Sequence, residues 1–449
     1  MLRVVFIITL LIGFAGYALR GPVEALVLYL WLAYFRPESW AWTPVFMTLP
    51  LSMVAGVYLF LRVGLSSISF KVDRRVVVLF SFLVIALIAT EQSRWYRLSQ
   101  GLTGDISKAF LVTYLMALLC STTERFRIIL ITISMSLGFE QAKQGWARLI
   151  FSPGSRNDNS IPMFGDNNGV AAAMMMLVPL FLVLARLTKN KYERWLYWFM
   201  TIGVLYRGLS TYSRGGFLAA IAMALVFIWR SPKRLPALVA VVTVATVVSL
   251  SLPQEYWNRM NTVRGQENMD GEVQYDNSAA SRLFFWQVAV RMANDNFFGV
   301  GPGAFPPAYP AYDTTDGAYG KNRAVHSSWF GALSEMGYLG LLSMILNLSM
   351  AWLASARAQR LAKRGEIPAE LGLLGAAFES SLVAYSVAGT FLNFQYVEMF
   401  WHIIGLTIAL QWTVDAALQQ RLPGLSLSPF AKTPPQPFAP QRLPVRRVS

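Results

Sequence analysis

The sequence predicts an all-α polytopic membrane protein, and three observations predict it. Of 449 residues, 55% are hydrophobic and only 14% are charged, against roughly 25% charged in a soluble domain. The mean hydropathy is +0.43. The apolar residues also fall in long continuous runs. A disordered chain lacks that hydrophobicity, and a soluble fold would have too few polar residues to cover such a core. Lipid-facing backbone must satisfy its own hydrogen bonds in a helix or a closed barrel. Barrel strands alternate apolar with polar residues, and these runs do not.

Taken in order, the candidate spans are 4–19, 23–35, 43–63, 75–90, 107–121, 126–142, 168–187, 193–209, 215–229, 235–252, 329–355, 371–391 and 396–418. A spanning helix needs about 20 apolar residues. The stretch 23–35 is short, so the expectation is about 12 transmembrane helices (12–13). The first run has a single basic residue, Arg3, and leads into Arg20 without a small-residue cleavage site. It reads as a span rather than a cleaved leader. The organisation that follows is N-terminal helices over 1–252, a large and partly helical loop over 253–328, C-terminal helices over 329–418, and a tail over 419–449. The tail is rich in Pro and Ser and is expected to be disordered and cytoplasmic.

The formal net charge is +15. In a membrane protein such an excess reads as loop bias rather than as nucleic-acid binding, because Lys and Arg collect on cytoplasmic loops. Residues 186–194 (RLTKNKYER), 230–234 (RSPKR) and 357–364 (RAQRLAKR) are dense in basic residues, and 62–75 and the tail agree. Segments 143–167, 210–214 and 253–328 then lie on the far side. A long ordered loop on a rigid scaffold is where function concentrates. Within this one, 281–293 (SRLFFWQVAVRMA) has helical spacing, and 295–305 (DNFFGVGPGAF) is a glycine-rich turn.

His326 opens the helix after that loop, in the order His326-Ser327-Ser328. The serines are candidate caps. The positive end of a helix dipole depresses a nearby imidazole pKa, and a neutral imidazole is what a general base must be. The plainer alternative is an interfacial histidine hydrogen-bonded to water. Gly337 and Gly340 follow on the same helix, as small residues that would let another helix approach. Arginines shift the balance toward chemistry. Arg214 stands at the outer end of a span, in Tyr212–Gly216 (YSRGG), and Arg282 starts the loop helix. Arg259, Arg264, Arg291 and Arg323 share the loop, and Lys143, Arg148 and Arg156 lie in another outer segment. Positive charge on the outer side runs against loop bias, and guanidinium suits phosphate through two parallel hydrogen bonds. One histidine among outer arginines fits transfer from a lipid phosphate. Taken singly, each arginine also fits a lipid-headgroup contact.

Other chemistry is poorly supported. No phosphate-binding loop and no HExxH occurs, Cys120 is the single cysteine, and His326 and His402 are the two histidines. No metal and no cofactor is expected. Asp166-Asn167-Asn168 reads as a helix cap, His402 as a core residue, Met174–Met176 as lipid-facing residues or core filler, and Asn393, Gln395 and Glu398 as interhelical hydrogen-bonding groups, with substrate contact as the alternative for these three. Asp270, Glu272, Asp276 and Asp295 read as solvated partners of the loop arginines. A transporter would place ionisable residues at mid-membrane, whereas here most charges fall at helix ends.

His326-Ser327, nine residues, Gly337, two residues, Gly340 resembles the signature of the WaaL-type O-antigen ligases. Tyr212–Gly216, Ser281-Arg282 and Phe298–Phe305 (FGVGPGAF) are similar to other segments of that family, in the same order. The resemblance implies a GT-C-type glycosyltransferase of the bacterial inner membrane with its active site facing the periplasm. It would be metal-independent and inverting. Its donor would be a glycan on undecaprenyl diphosphate and its acceptor a lipid A–core sugar, completing lipopolysaccharide. By position, His326 matches the family's catalytic histidine, and Arg214 and Arg282 match its two functional arginines. Arg264, Lys143 and Arg148 rest on location alone as further diphosphate ligands. The same superfamily includes O-antigen polymerases and protein O-oligosaccharyltransferases, and the chain is also similar to the O-glycosylation ligases associated with exosortase systems.

Overall fold

The computed structural model describes residues 2–38, 49–231, 233–261, 266–267, 273–274 and 277–421. As far as they are described, all thirteen apolar runs lie on α-helices. These are α1 (Leu2–Ala18), α2 (Pro22–Phe35), α3 (Leu51–Gly64), α4 (Arg74–Gln92), α5 (Tyr96–Leu119), α6 (Thr123–Phe151), α7 (Asn167–Leu187), α8 (Lys191–Leu209), α9 (Arg214–Arg230) and α10 (Arg234–Ser251). The loop segment follows, with α11 (Gln254–Asn261), a two-stranded antiparallel ladder of β1 (Gln266–Glu267) and β2 (Val273–Gln274), α12 (Asn277–Asp295) and α13 (Phe305–Ala308). Then come α14 (Ser328–Lys363), α15 (Ala369–Gly389) and α16 (Glu398–Arg421). By length and composition, α4, α5, α7, α14 and α15 are able to cross a membrane, and α1, α2, α3 and α10 contain shorter apolar stretches. The chain is an all-α, multi-pass membrane protein. The tail from 422 onward lies outside the described residues.

Caps fix where these helices begin. The Asp73 carboxylate accepts from the backbone N–H of Arg75 and Val76 at α4, and Asp166 accepts from Asn168 and Gly169 at α7. Thr122, Asn190, Ser213 and Ser327 do the same for α6, α8, α9 and α14. Each satisfies a donor that the first helical turn leaves without a partner. The centre of the bundle is α7, which packs against α6, α8, α9 and α15. Met174, Met175 and Met176 are fully buried on it, as core filler should be. At α6 and α8 the backbones touch, because a methyl added at Gly145 would lie 1.8 Å from the Gly203 carbonyl oxygen.

Four helices set two opposite ends. Asn168 of α7, Arg214 of α9, His326 just before α14 and Phe391 just after α15 line one cavity. Arg186, Arg230, Lys363 and Ala369, from the other ends of the same helices, line a second groove. Helices of 17–21 residues at 1.5 Å per residue separate the two by roughly 25–32 Å, about the thickness of a bilayer's hydrocarbon core.

The loop segment has a small core of its own, built on Phe285, Val288, Met292, Phe305, Tyr309 and Val325. It is fastened to α14 at a break in that helix. Gly337 has φ 68° and ψ −172°, a region essentially restricted to glycine. The break releases carbonyls that helical N–H groups would have bonded. Val300 N–H donates to the Ser334 carbonyl at 2.9 Å, and Gly301 N–H to that of Glu335 at 3.0 Å. The chains cross so closely that a methyl on Gly337 would lie 2.0 Å from the Phe297 carbonyl oxygen, and one on Gly299 would lie 2.4 Å from the α14 backbone. Beneath the crossing, the buried Glu335 carboxylate accepts from Phe305 N–H at 3.3 Å and from the Tyr396 hydroxyl at 2.7 Å.

This corrects the expected role of the two glycines. Gly337 admits the loop's backbone, not a second helix. Gly340 faces its own preceding turn, where a methyl would lie 2.3 Å from Met336 Cβ, so its small size serves the bend. Gly337→Ala is predicted to cost at least about 1–3 kcal/mol from backbone strain alone, with the steric clash in addition. It should lower the apparent melting temperature in detergent, whereas Gly104→Ala, which meets open space on α5, should not.

Candidate active site

Three segments bring the site together. Residues 212–214 and 326–328 share a local design. Tyr212 and His326 both have left-handed backbone, with φ 60° and 50°, and each is followed by a serine N-cap. The Ser213 hydroxyl accepts from Gly216 N–H, and the Ser327 hydroxyl from Phe330 N–H. A non-glycine residue in this region costs on the order of 1–3 kcal/mol and persists where its surroundings over-determine it. Those surroundings are visible here. Tyr212 is buried, and its hydroxyl donates to the Gly154 carbonyl at 2.6 Å. Next to His326, Ser327 N–H donates to Asn393 Oδ1 at 3.2 Å, while the Ser328 hydroxyl donates to the Leu392 carbonyl and accepts from Phe394 N–H. His326 thus precedes the cap rather than opening the helix. The third segment is α12, which packs on α14 through the stacked rings of Trp286 and Phe330, 5.0 Å apart. It presents Ser281 and Arg282.

These segments enclose a cavity of about 600 Å³, lined among others by His326, Arg214, Arg282, Arg323, Tyr319 and Asn168. His326, Arg214 and Arg282 are half-buried and Arg323 is exposed. The Arg282 guanidinium lies 5.9 Å from the centre of the Phe391 ring, and Phe285 lies 6.4 Å from the imidazole, centre to centre. The amino-terminal ends of α7, α9 and α14 all open at the cavity. Their dipoles add to the guanidinium charge, and the arrangement suits a multiply charged anion. Burial holds the His326 imidazole below its usual pKa of 6.5, Arg282 pushes it the same way, Asp166 opposes and Arg323 adds. The expected direction stands. Its main causes are burial and a neighbouring cation. Among the described residues, no three His, Cys, Asp or Glu side chains come together as a metal site would require.

The other sequence candidates separate. Lys143 pairs with Glu140 at 2.6 Å on α6, and Arg148 donates to the Ser155 hydroxyl at 2.9 Å. Neither lines the cavity. Arg264 lies outside the described residues, as do Asp270, Glu272 and Asp276. Asp295 is exposed and forms no ion pair among the described residues. Asn393 and Gln395 are interhelical hydrogen-bonding groups, Gln395 reaching Glu335 at 3.3 Å. His402 is buried, with Nδ1 bonded to the Tyr34 hydroxyl at 2.7 Å.

Sequence reasoning missed several contributors. Tyr319 and Phe391 carry no motif. Asn168 was legible as part of a cap but not as cavity wall. Arg207 is fully buried on α8, where it donates to Gln141 and to the carbonyls of Asn157 and Asn159. It holds the 152–166 segment, and with it Asp166, against the bundle.

Residues 199–345 match the family model described as O-antigen ligase. The resemblance to O-antigen ligases holds over this stretch. The match spans about a third of the chain and contains Arg214, Arg282, Arg323, His326, Ser327, Gly337 and Gly340; Lys143 and Arg148 fall outside it. It supports an enzyme with O-antigen ligase or polymerase-type function. No curated protein matches the chain.

With two histidines in the chain, their ring resonances are separable by NMR on labelled protein. His326 should titrate below pH 6.5, and Arg282→Ala should raise its midpoint, because a cation opposing protonation is removed. An unmoved midpoint would show that Arg282 does not act on the imidazole.

Proposed function

We propose that the chain is a GT-C-type O-antigen ligase with about twelve spans. It sits in the bacterial inner membrane with the His326 cavity facing the periplasm. Its donor is a glycan on undecaprenyl diphosphate, and its acceptor is a sugar hydroxyl of lipid A–core. The observation that carries this reading is the convergence of a half-buried histidine and three guanidinium groups on one cavity, within the segment that matches the O-antigen ligase family. The basic ends of α7, α9 and α14 gather at the opposite end, which supports a cytoplasmic side there and a periplasmic side at the cavity.

In this mechanism the acceptor oxygen attacks the donor's anomeric carbon from the face opposite the diphosphate. Its proton passes to His326, the carbon–oxygen bond to phosphorus breaks, and undecaprenyl diphosphate leaves with the bonding electrons. The sugar configuration inverts. Arg214 and Arg282 are preorganised against the charge that develops on the leaving group, worth most where water is excluded. Arg323 joins them from the loop. The lowered pKa keeps His326 neutral and able to accept a proton at neutral pH. Apolar helix faces beside the cavity hold the prenyl chain and orient the donor.

The test is transfer by purified protein from a lipid-linked donor. His326→Ala should abolish transfer while the protein still inserts and melts cooperatively; retained transfer removes the base assignment. Arg214→Ala and Arg282→Ala should each cost on the order of 10²–10³ in rate. The rate should fall on the acid side with an apparent pKa below 6.5, and Arg282→Ala should move that limb upward. Transfer should survive EDTA, since fixed cations answer the leaving-group charge. Supplying lipid A–core, a second lipid-linked glycan and an acceptor peptide in separate reactions distinguishes ligase from polymerase and from protein glycosyltransferase.

A further inference from the structure

The groove at the other end of the bundle has a chemistry of its own. It is a space of about 380 Å³, the size of a small-ligand site. Its walls are mostly apolar, with Leu182, Val183, Phe227, Leu373 and Ala376 among them, and Arg186, Arg230 and Lys363 stand at its rim. One of these cations is already balanced. Arg230 donates to the fully buried Glu379 carboxylate, which also accepts from Gln359 at 2.6 Å. Arg186 and Lys363 are exposed at helix carboxyl ends and form no ion pair among the described residues. Arg186 instead lies over the Phe227 ring, 5.6 Å from its centre, at the mouth of the apolar space. Two unbalanced cations above an apolar cleft, at the end of bilayer-length helices, match a molecule with an anionic head and a hydrocarbon chain.

We propose that this groove binds an anionic glycerophospholipid of the cytoplasmic leaflet. Its phosphate lies between Arg186 and Lys363, and one acyl chain lies along Leu182, Phe227 and Leu373. The buried Glu379 pairs with Arg230 and so keeps it from adding to the anion site. Because the lipid would bridge α7, α9, α14 and α15, the helices that frame the His326 cavity, its binding stabilises their packing. The inference rests on these helices crossing a bilayer and is independent of glycan transfer.

The experiment is thermal unfolding of the full chain in neutral detergent, with phosphatidylglycerol or phosphatidylcholine of identical acyl chains added. Native mass spectrometry of the same samples counts retained lipid. The wild type should gain several degrees more from phosphatidylglycerol than from phosphatidylcholine and should retain the anionic lipid. Arg186→Gln/Lys363→Gln, at exposed positions, should lose at least half of that difference. Ala376→Phe, which fills the cleft without changing charge, should lose the response to both lipids. Equal responses to the two lipids in the wild type, or a full response in the double variant, overturn the proposal. So does an equal shift from soluble glycerol 3-phosphate, which would mark a phosphate site rather than a lipid site. Transfer activity is not a readout here, so failure of this proposal leaves the His326 mechanism standing, and the reverse.

Discussion

The backbone crossing at Gly337 is the contact on which the site depends. A helix that runs unbroken keeps its carbonyls for itself. By breaking, α14 gives up two of them, and the 296–305 turn fills them with the N–H groups of Val300 and Gly301. That exchange joins a loop domain with its own small core to the membrane helices at a fixed height and angle. Arg282 belongs to the loop domain, Arg214 to the bundle, and His326 to the junction between them. Their meeting in one cavity therefore follows from a junction made of backbone atoms, some ten residues along α14 from the chemistry.

Electrostatics then decides what the cavity can hold. Three guanidinium groups and three helix amino ends face the same space, and together they concentrate a positive potential there that draws anions. Burial lowers the pKa of the imidazole beside them, and Arg282 and Arg323 push it the same way. One arrangement thus serves both halves of the proposed reaction. Cations that would receive a departing diphosphate also hold the neighbouring base in its accepting form. The polar supports around it, Asn393 on Ser327 and the Leu392–Phe394 backbone on Ser328, fix the histidine through the chain on either side rather than through its ring.

Much of the fold was legible because membrane helices announce themselves by continuous hydrophobicity, and the caps because Asp, Ser, Thr and Asn at the start of an apolar run have one main use. Arg214, Arg282 and His326, which line one cavity, were legible through short motifs. The role of Gly337 was not, since a glycine within an apolar helix reads the same whether it admits a helix or a loop. Lys143 and Arg148 were proposed from chain position alone, which does not fix the azimuth around a helix, and neither lines the cavity. Arg207 and Glu335 were invisible as structural anchors because their partners come from distant segments.

The helices of the bundle differ in length. At 21 residues, α7 reaches about 32 Å, while α9 and α10, at 17 and 18, reach only about 26 Å. A bilayer with hydrocarbon about 30 Å thick accommodates such a difference by tilt of the longer helix, by local thinning or by long side chains that reach the surface. Thinning beside α9 would bring lipid headgroups closer to Arg214, which starts that helix. Any lipid headgroup on that side would then stand nearer the level of the cavity's guanidinium groups, through the shape of the membrane itself.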